Sequence, residues 1–297
     1  MNTTSFVERR PARLARDVIS LFKLRIGMLI MITALVGLAV TPGAAVSGGQ
    51  VLVLALSVLV ASASAGAFNQ YAEHDSDRLM ARTRGRAFVT GALPHHPAWL
   101  LLIGALLAGA VGAAWSALNG AAAMYVFLGA FFYAVVYTVW LKRRSPWNIV
   151  VGGLAGSFAV LAGAAAVDPN LGPLPLLLAL VLFLWTPPHF WSLAIANARD
   201  YEAAGVPMLP VVVGPARAAR IVLASTVALA LASLLPLAFG AGPVYGIGAA
   251  AGGLYFVGKS WQLARAPSRA TAMGSFFASL IQLSALLLAA TVDALMR

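Results

Sequence analysis

Nine stretches of this 297-residue chain stay apolar for about the 20 residues that a helix needs to cross a hydrocarbon core. They fall near 20–40, 50–69, 98–118, 122–141, 148–167, 173–196, 219–239, 243–262 and 272–293. In lipid every backbone polar group must be satisfied internally, so the expected fold is all-α and polytopic, with nine transmembrane helices. Composition agrees, since 61% of the residues are hydrophobic and only 10% charged, at a mean hydropathy of +0.88. A net charge of +11 would raise the question of nucleic acid in a soluble chain. Here the basic residues sit between apolar spans, so the lipid bilayer accounts for them and no nucleic-acid partner is expected. Without cysteine, disulfides, thiolate metal sites and cysteine nucleophiles are excluded.

Lys and Arg set the expected topology. All but one of the 20 fall on alternate connections: Arg9, Arg10, Arg13, Arg16, Lys23 and Arg25; Arg78, Arg82, Arg84 and Arg86; Lys142, Arg143 and Arg144; Arg199, Arg217 and Arg220; Lys259, Arg265 and Arg269. Only Arg297 lies on the other side. The N-terminal segment 1–18 and these connections are therefore expected in the cytoplasm and the C-terminus outside, with 1–297 forming a single domain in the cytoplasmic membrane. The opening could also be read as a secretory signal, because its basic stretch leads into an apolar run and then Gly43-Ala44-Ala45-Val46-Ser47-Gly48. That stretch is long for an n-region, and cleavage would leave eight helices and the wrong parity.

Five of the nine acids, Glu73, Asp75, Asp77, Asp200 and Glu202, sit on the two longest connections, about 70–97 and 197–218. Long loops carrying rare charges are where function is to be sought. If the second span's helix continues to Asp77, Asn69, Glu73 and Asp77 recur every four residues and share one face, while Asp75 points away. An amide oxygen and two carboxylates suit a hard cation such as Mg²⁺. The arginines that follow could grip the phosphate oxygens that the metal leaves free, or could pair with the acids at a solvated helix end.

The sixth span ends in Trp185-Thr186-Pro187-Pro188-His189-Phe190-Trp191, and paired prolines there are expected to break the helix's hydrogen-bond ladder, which is tolerated mainly where protein or a cavity surrounds the backbone and so points to a cavity. Asn197 and Asp200 would share a helical face, which makes Asp200 the second-site metal candidate. His189 has two readings, a hydrogen-bonded packing residue or a proton-handling group or substrate contact. Trp185 and Trp191 read equally well as interfacial belt residues.

These stretches, with Lys23 to Gly37, Tyr137-Thr138 through Asn148 to Gly153, and Asp200-Tyr201 through Pro207-Met208-Leu209-Pro210, resemble the protoheme IX farnesyltransferases, the haem O synthase branch of the UbiA-type membrane prenyltransferases. The resemblance implies a nine-helix α-barrel around a central cavity, with two metal motifs facing each other at its cytoplasmic mouth. It implies Mg²⁺ as cofactor, farnesyl diphosphate as donor, haem b as acceptor and haem O as product, with haem-biosynthesis or oxidase-assembly proteins as further partners. Asn69, Glu73, Asp77 and Asp200 would hold the metal, and Arg82, Arg86, Lys142 and Arg143 would steady the departing diphosphate. Asp77, Asp200 and Lys142 carry the catalytic expectation; Tyr137, His189, Trp191 and Tyr201 are the remaining substrate contacts, with Phe190 a further aromatic face for a cation. The chain departs from the family in having Glu73 where Asp is usual and Arg199 where an acid is usual. Two other readings stay open: a UbiA-type enzyme with another acceptor, such as a quinone precursor or a modified haem, or a transporter or assembly factor. A transporter should carry ionisable residues near mid-membrane and an internal repeat, and neither is visible.

Overall fold

The computed structural model of the chain describes residues 11–296, with side chains from Leu14 onward. Arg9, Arg10, most of the 1–18 segment's basic end and Arg297 thus lie outside the described residues, as does the side chain of Arg13. The helices are α1 (Pro11–Leu21), α2 (Leu24–Val40), α3 (Gly48–Ala72), α4 (His74–Leu79), α5 (Ala98–Ala117), α6 (Gly120–Phe131), α7 (Asn148–Gly152), α8 (Leu154–Val167), α9 (Pro173–Ala196), α10 (Ala198–Ala203), α11 (Leu209–Val213), α12 (Pro215–Ala232), α13 (Pro243–Arg265) and α14 (Arg269–Leu295). A π-helical segment, Phe132–Leu141, prolongs α6, and a short 3₁₀ turn, Leu235–Phe239, follows α12.

Among the described residues, seven helical stretches are long and apolar enough to span a membrane, and the bent pair α1–α2 makes an eighth. The ninth expected span is α13, whose 23 residues are diluted by Gly246, Gly248, Gly252, Gly253 and Gly258 and by Lys259. The first span, expected near 20–40, is a bent pair, with α1 leading into α2. Lys23 takes a left-handed backbone (φ 47°, ψ 41°), and the chain turns by 41° there before α2 begins at Leu24.

Helices touch largely in chain order, α2 on α3, α3 on α5, α5 on α6, α6 on α8, α8 on α9, α9 on α12, α12 on α13 and α13 on α14. Contact between α14 and α2 closes the ring, which is the expected barrel. Inside it α2 and α8 cross so closely that a Cβ on Gly163 would stand 1.8 Å from the Ala34 carbonyl oxygen. One on Gly37 would stand 2.2 Å from that of Val160. Lipid tails are as apolar as leucine, so helix contact in a membrane depends on close packing of this kind rather than on hydrophobic exclusion. The crossing lies toward the ends of α2 and α8 distant from the acidic segments.

The paired prolines interrupt the hydrogen-bond ladder of α9 without ending the helix. The helix runs through Pro187 and Pro188, both buried, and Ser192 and Thr186 donate their hydroxyls to the Pro188 and Leu182 carbonyls. Each proline removes one donor, and enclosure by neighbouring helices lets the segment tolerate the loss.

Candidate active site

The row Asn69, Glu73, Asp77 forms on one face, although α3 ends at Ala72 and α4 starts at His74. Glu73 donates its backbone N–H to the Asn69 carbonyl at 3.0 Å, and Asp77 to that of Glu73 at 2.8 Å, so the four-residue spacing survives the junction. All three side chains are buried. Asp75 is 88% exposed and turns toward His74, as its angular position requires.

Each member of the row meets a cation. The Lys23 ammonium donates to Asn69 Oδ1 at 2.6 Å, the Lys142 ammonium to Glu73 Oε1, and Arg86 to Asp77 Oδ2 at 2.5 Å. Arg86 also stands 3.6 Å from Glu73 Oε2. Burial opposes the charged form of Glu73, but Lys142, with Lys23 and Arg86 behind it, outweighs burial and holds this carboxyl below the usual range. At Asp77 burial wins over Arg86 and pushes the carboxyl up.

The π-helical turn explains how Lys142 reaches Glu73. Lys142 donates its N–H to the carbonyl of Tyr137, five residues back, and Thr138 Oγ1 donates to the Tyr133 carbonyl at 2.8 Å. This wider register sets Tyr133, Thr138 and Lys142 along the acidic row, where Thr138 accepts from Asn69 Nδ2 at 3.1 Å. Such local widening of helices is frequent at functional sites. Tyr137 stacks on Tyr133 with centroids 5.7 Å apart, and the Lys142 ammonium lies 5.7 Å from the Tyr137 centroid. Gly152 makes room for that ring, because a Cβ there would come within 2.9 Å of Tyr137 Cδ2 and 3.2 Å of its Cβ. Gly152→Ala is expected to displace Tyr137 and slow turnover roughly ten- to a hundredfold, checked by kcat at saturating substrates with the unfolding midpoint as control.

The second acidic segment reaches the first. Asp200 Oδ2 accepts from the backbone N–H of Arg82 at 3.4 Å. Tyr201 is buried beneath with Met80, Ile149, Ala194, Val206 and Met208, and Tyr137 packs on that same cluster. Arg82 and Arg143 are exposed around this rim, as is Arg199, the departure from the family pattern. Asn197 does not join Asp200: its side-chain amide donates to the Leu193 carbonyl at 2.8 Å and closes α9.

His189 and Trp191 sit apart from the carboxylates. His189 is buried between Trp185 (centroids 4.1 Å) and Phe276 (4.6 Å), with Nδ1 2.6 Å from Ser279 Oγ. Trp191 packs with Leu209, Ala219, Val222 and Leu263, and Phe190 is 36% exposed beside His189. Lys23 and Tyr133 are the site residues that sequence reasoning missed. Lys23 looked like a topology marker, and nothing in an α-helical period points to Tyr133.

The chain resembles known proteins over nearly its whole length. The profile of the UbiA prenyltransferase family matches residues 30–281. The chain belongs to the UbiA prenyltransferase family. Protoheme IX farnesyltransferase 2 of Paramagnetospirillum magneticum is 57% identical over 277 residues, 93% of this chain and 96% of that protein. Protoheme IX farnesyltransferase 1 of the same organism is 48% identical over 94% and 98% of the two chains. A solved digeranylgeranylglyceryl phosphate synthase has the same fold, with a TM-score of 0.78 at 18% identity, over 96% of this chain and all of that one. So does a UbiA homologue from Archaeoglobus fulgidus solved with DMAPP and Mg²⁺, with a TM-score of 0.73 at 16% identity over 91% and 99% of the chains. The same homologue was also solved with Cd²⁺, so members of the UbiA family bind divalent cations and prenyl diphosphates. This UbiA family member is thus a multi-pass membrane prenyltransferase.

Proposed function

We infer that this chain transfers a farnesyl group from farnesyl diphosphate to a vinyl group of haem b, yielding haem O. The observation that carries the donor half is the buried row Asn69–Glu73–Asp77 with Lys142 and Arg86 in contact and Asp200 joined to it through the loop at Arg82. The acceptor half rests on the 57% identity to a protoheme IX farnesyltransferase.

The donor set fits Mg²⁺. Asp77 Oδ1 is buried without a hydrogen-bond partner, and the neighbouring donors are hard carboxylate and amide oxygens. Among the described residues no three His, Asp or Glu stand close enough to hold an ion on their own. The remaining positions would fall to diphosphate oxygens and water, which is how Mg²⁺ is usually held. Asn69, Glu73, Asp77 and Asp200 would hold the ion, and when bound it supplies Lewis-acid neutralisation of the diphosphate.

The side chains do the rest. Arg86, Lys142, Arg82 and Arg143 meet the charge that builds as the allylic carbon–oxygen bond breaks and diphosphate leaves with the electron pair. Tyr137 offers a π-face to the allylic cation, and the Tyr133–Tyr137 stack keeps bulk water from it. The allylic carbon bonds to the vinyl terminus, water adds to the carbon beside the ring, and a proton is released. On the same reading the acidic segments face the cytoplasm and the C-terminus lies outside the cytoplasmic membrane.

Mass analysis of haem extracted from cells with and without the gene tests this. A farnesylated, hydrated haem only in cells with the gene supports it; haem b alone in both refutes the acceptor. Asp200→Ala is expected to lower that product about a hundredfold or more, with the protein still in the membrane fraction.

A further inference from the structure

Lys23 belongs to neither acidic segment, yet it reaches the row by a route built from several elements. Gln70 of α3 donates its amide to the Ser20 and Leu21 carbonyls at 3.0 and 3.1 Å and so ties the end of α1 to α3. Lys23 then adopts its left-handed backbone, which a residue with a Cβ rarely does. Its stem crosses Gly66, where a Cβ would touch Lys23 Cβ and Cδ at 3.4 Å. Gly66, Asn69, Gln70 and Glu73 lie on one face of α3. The ammonium ends 2.6 Å from Asn69 Oδ1 and 3.2 Å from the Tyr133 hydroxyl.

We propose that the elbow between α1 and α2 is a third arm of the diphosphate site, with Lys23 binding a phosphate oxygen and orienting the Asn69 amide. An ammonium has three N–H donors, and Asn69 and Tyr133 take two of them. The third is left for an anion beside the row. An unusual backbone persists where its surroundings over-determine it, and such positions cluster at ligand clamps. Here the clamp is Gln70, so the seating of α1 on α3 sets how well diphosphate is held. Purely structural neutralisation of Glu73 would not need Lys23, since Lys142 and Arg86 already meet that carboxylate.

The inference rests on the diphosphate site proposed above. Its test is calorimetric binding of inorganic pyrophosphate with Mg²⁺ to the purified full-length chain in lipid nanodiscs, alongside thermal unfolding. Lys23→Met is expected to weaken binding tenfold or more at an unfolding midpoint near that of the wild type, and Lys23→Arg to recover most of it. Gln70→Leu, which frees α1 without touching the row, is expected to weaken binding about threefold or more. Wild-type binding that Lys23→Met and Gln70→Leu leave unchanged overturns the inference alone. If Lys23→Met does not fold, Gln70→Leu and Tyr133→Phe decide: unchanged affinity in both overturns it, and reduced affinity supports it. A wild type that does not bind pyrophosphate fails the enzyme reading itself, and the inference with it.

Discussion

Replacing Asp77 with alanine is expected to lower farnesyl transfer by roughly a hundred- to a thousandfold while leaving a folded protein in the membrane. The size follows from what Asp77 offers, a buried carboxylate whose Oδ1 has no protein partner and whose Oδ2 holds Arg86. On the proposed reading its loss removes a metal donor and frees the guanidinium that would meet diphosphate. The fold should survive because Arg86 is 18% exposed and already 3.6 Å from Glu73 Oε2, so its charge keeps a partner. Haem O formed by membranes supplied with both substrates checks the rate, and thermal unfolding checks the fold. Near-normal transfer by a well-folded variant would remove Asp77 from the mechanism.

The second large effect concerns the frame. A methyl group on Gly163 would stand 1.8 Å from the Ala34 carbonyl oxygen and 2.8 Å from Leu38 N, all rigid backbone. Gly163→Ala must therefore push α2 and α8 apart along their crossing. Overpacking of this kind costs roughly 3 kcal/mol, and more where backbone cannot yield. The expected result is a large fall in unfolding midpoint and in the yield of monodisperse protein. Gly156→Ala on the same helix is the control, because nothing lies within 4 Å of its Cβ. Equal behaviour of the two variants would contradict the close crossing.

Much of this was legible in the sequence, for identifiable reasons. A four-residue recurrence is a property of helix geometry, so Asn69, Glu73 and Asp77 were bound to align, and Asp75 to face away, even across the break at Glu73. Hydropathy marks spans well because lipid tolerates few other solutions. The span expected near 243–262 forms as α13, although glycines that pack against α14 lower its apolar average. Lys142 could be placed on the correct side but not opposite Glu73, because that pairing depends on a π-helical register that a 3.6-residue period does not reveal. Lys23 was hidden for a different reason. Its role comes from a left-handed turn and from Gln70 on another helix, contacts that no local pattern encodes. The paired prolines pointed to an enclosed stretch of backbone, because the groups they leave unpaired are tolerated only where neighbouring elements surround them.

The central claim is that Asp77 and Asp200, from separate segments, hold one metal–diphosphate complex. Electron paramagnetic resonance of Mn²⁺ bound with farnesyl thiodiphosphate, read through its coupling to phosphorus, tests it directly. The account predicts coupling in the wild type and its loss in both Asp77→Asn and Asp200→Asn. Coupling that persists in either variant would show that one segment alone binds the complex, and would contradict the shared site.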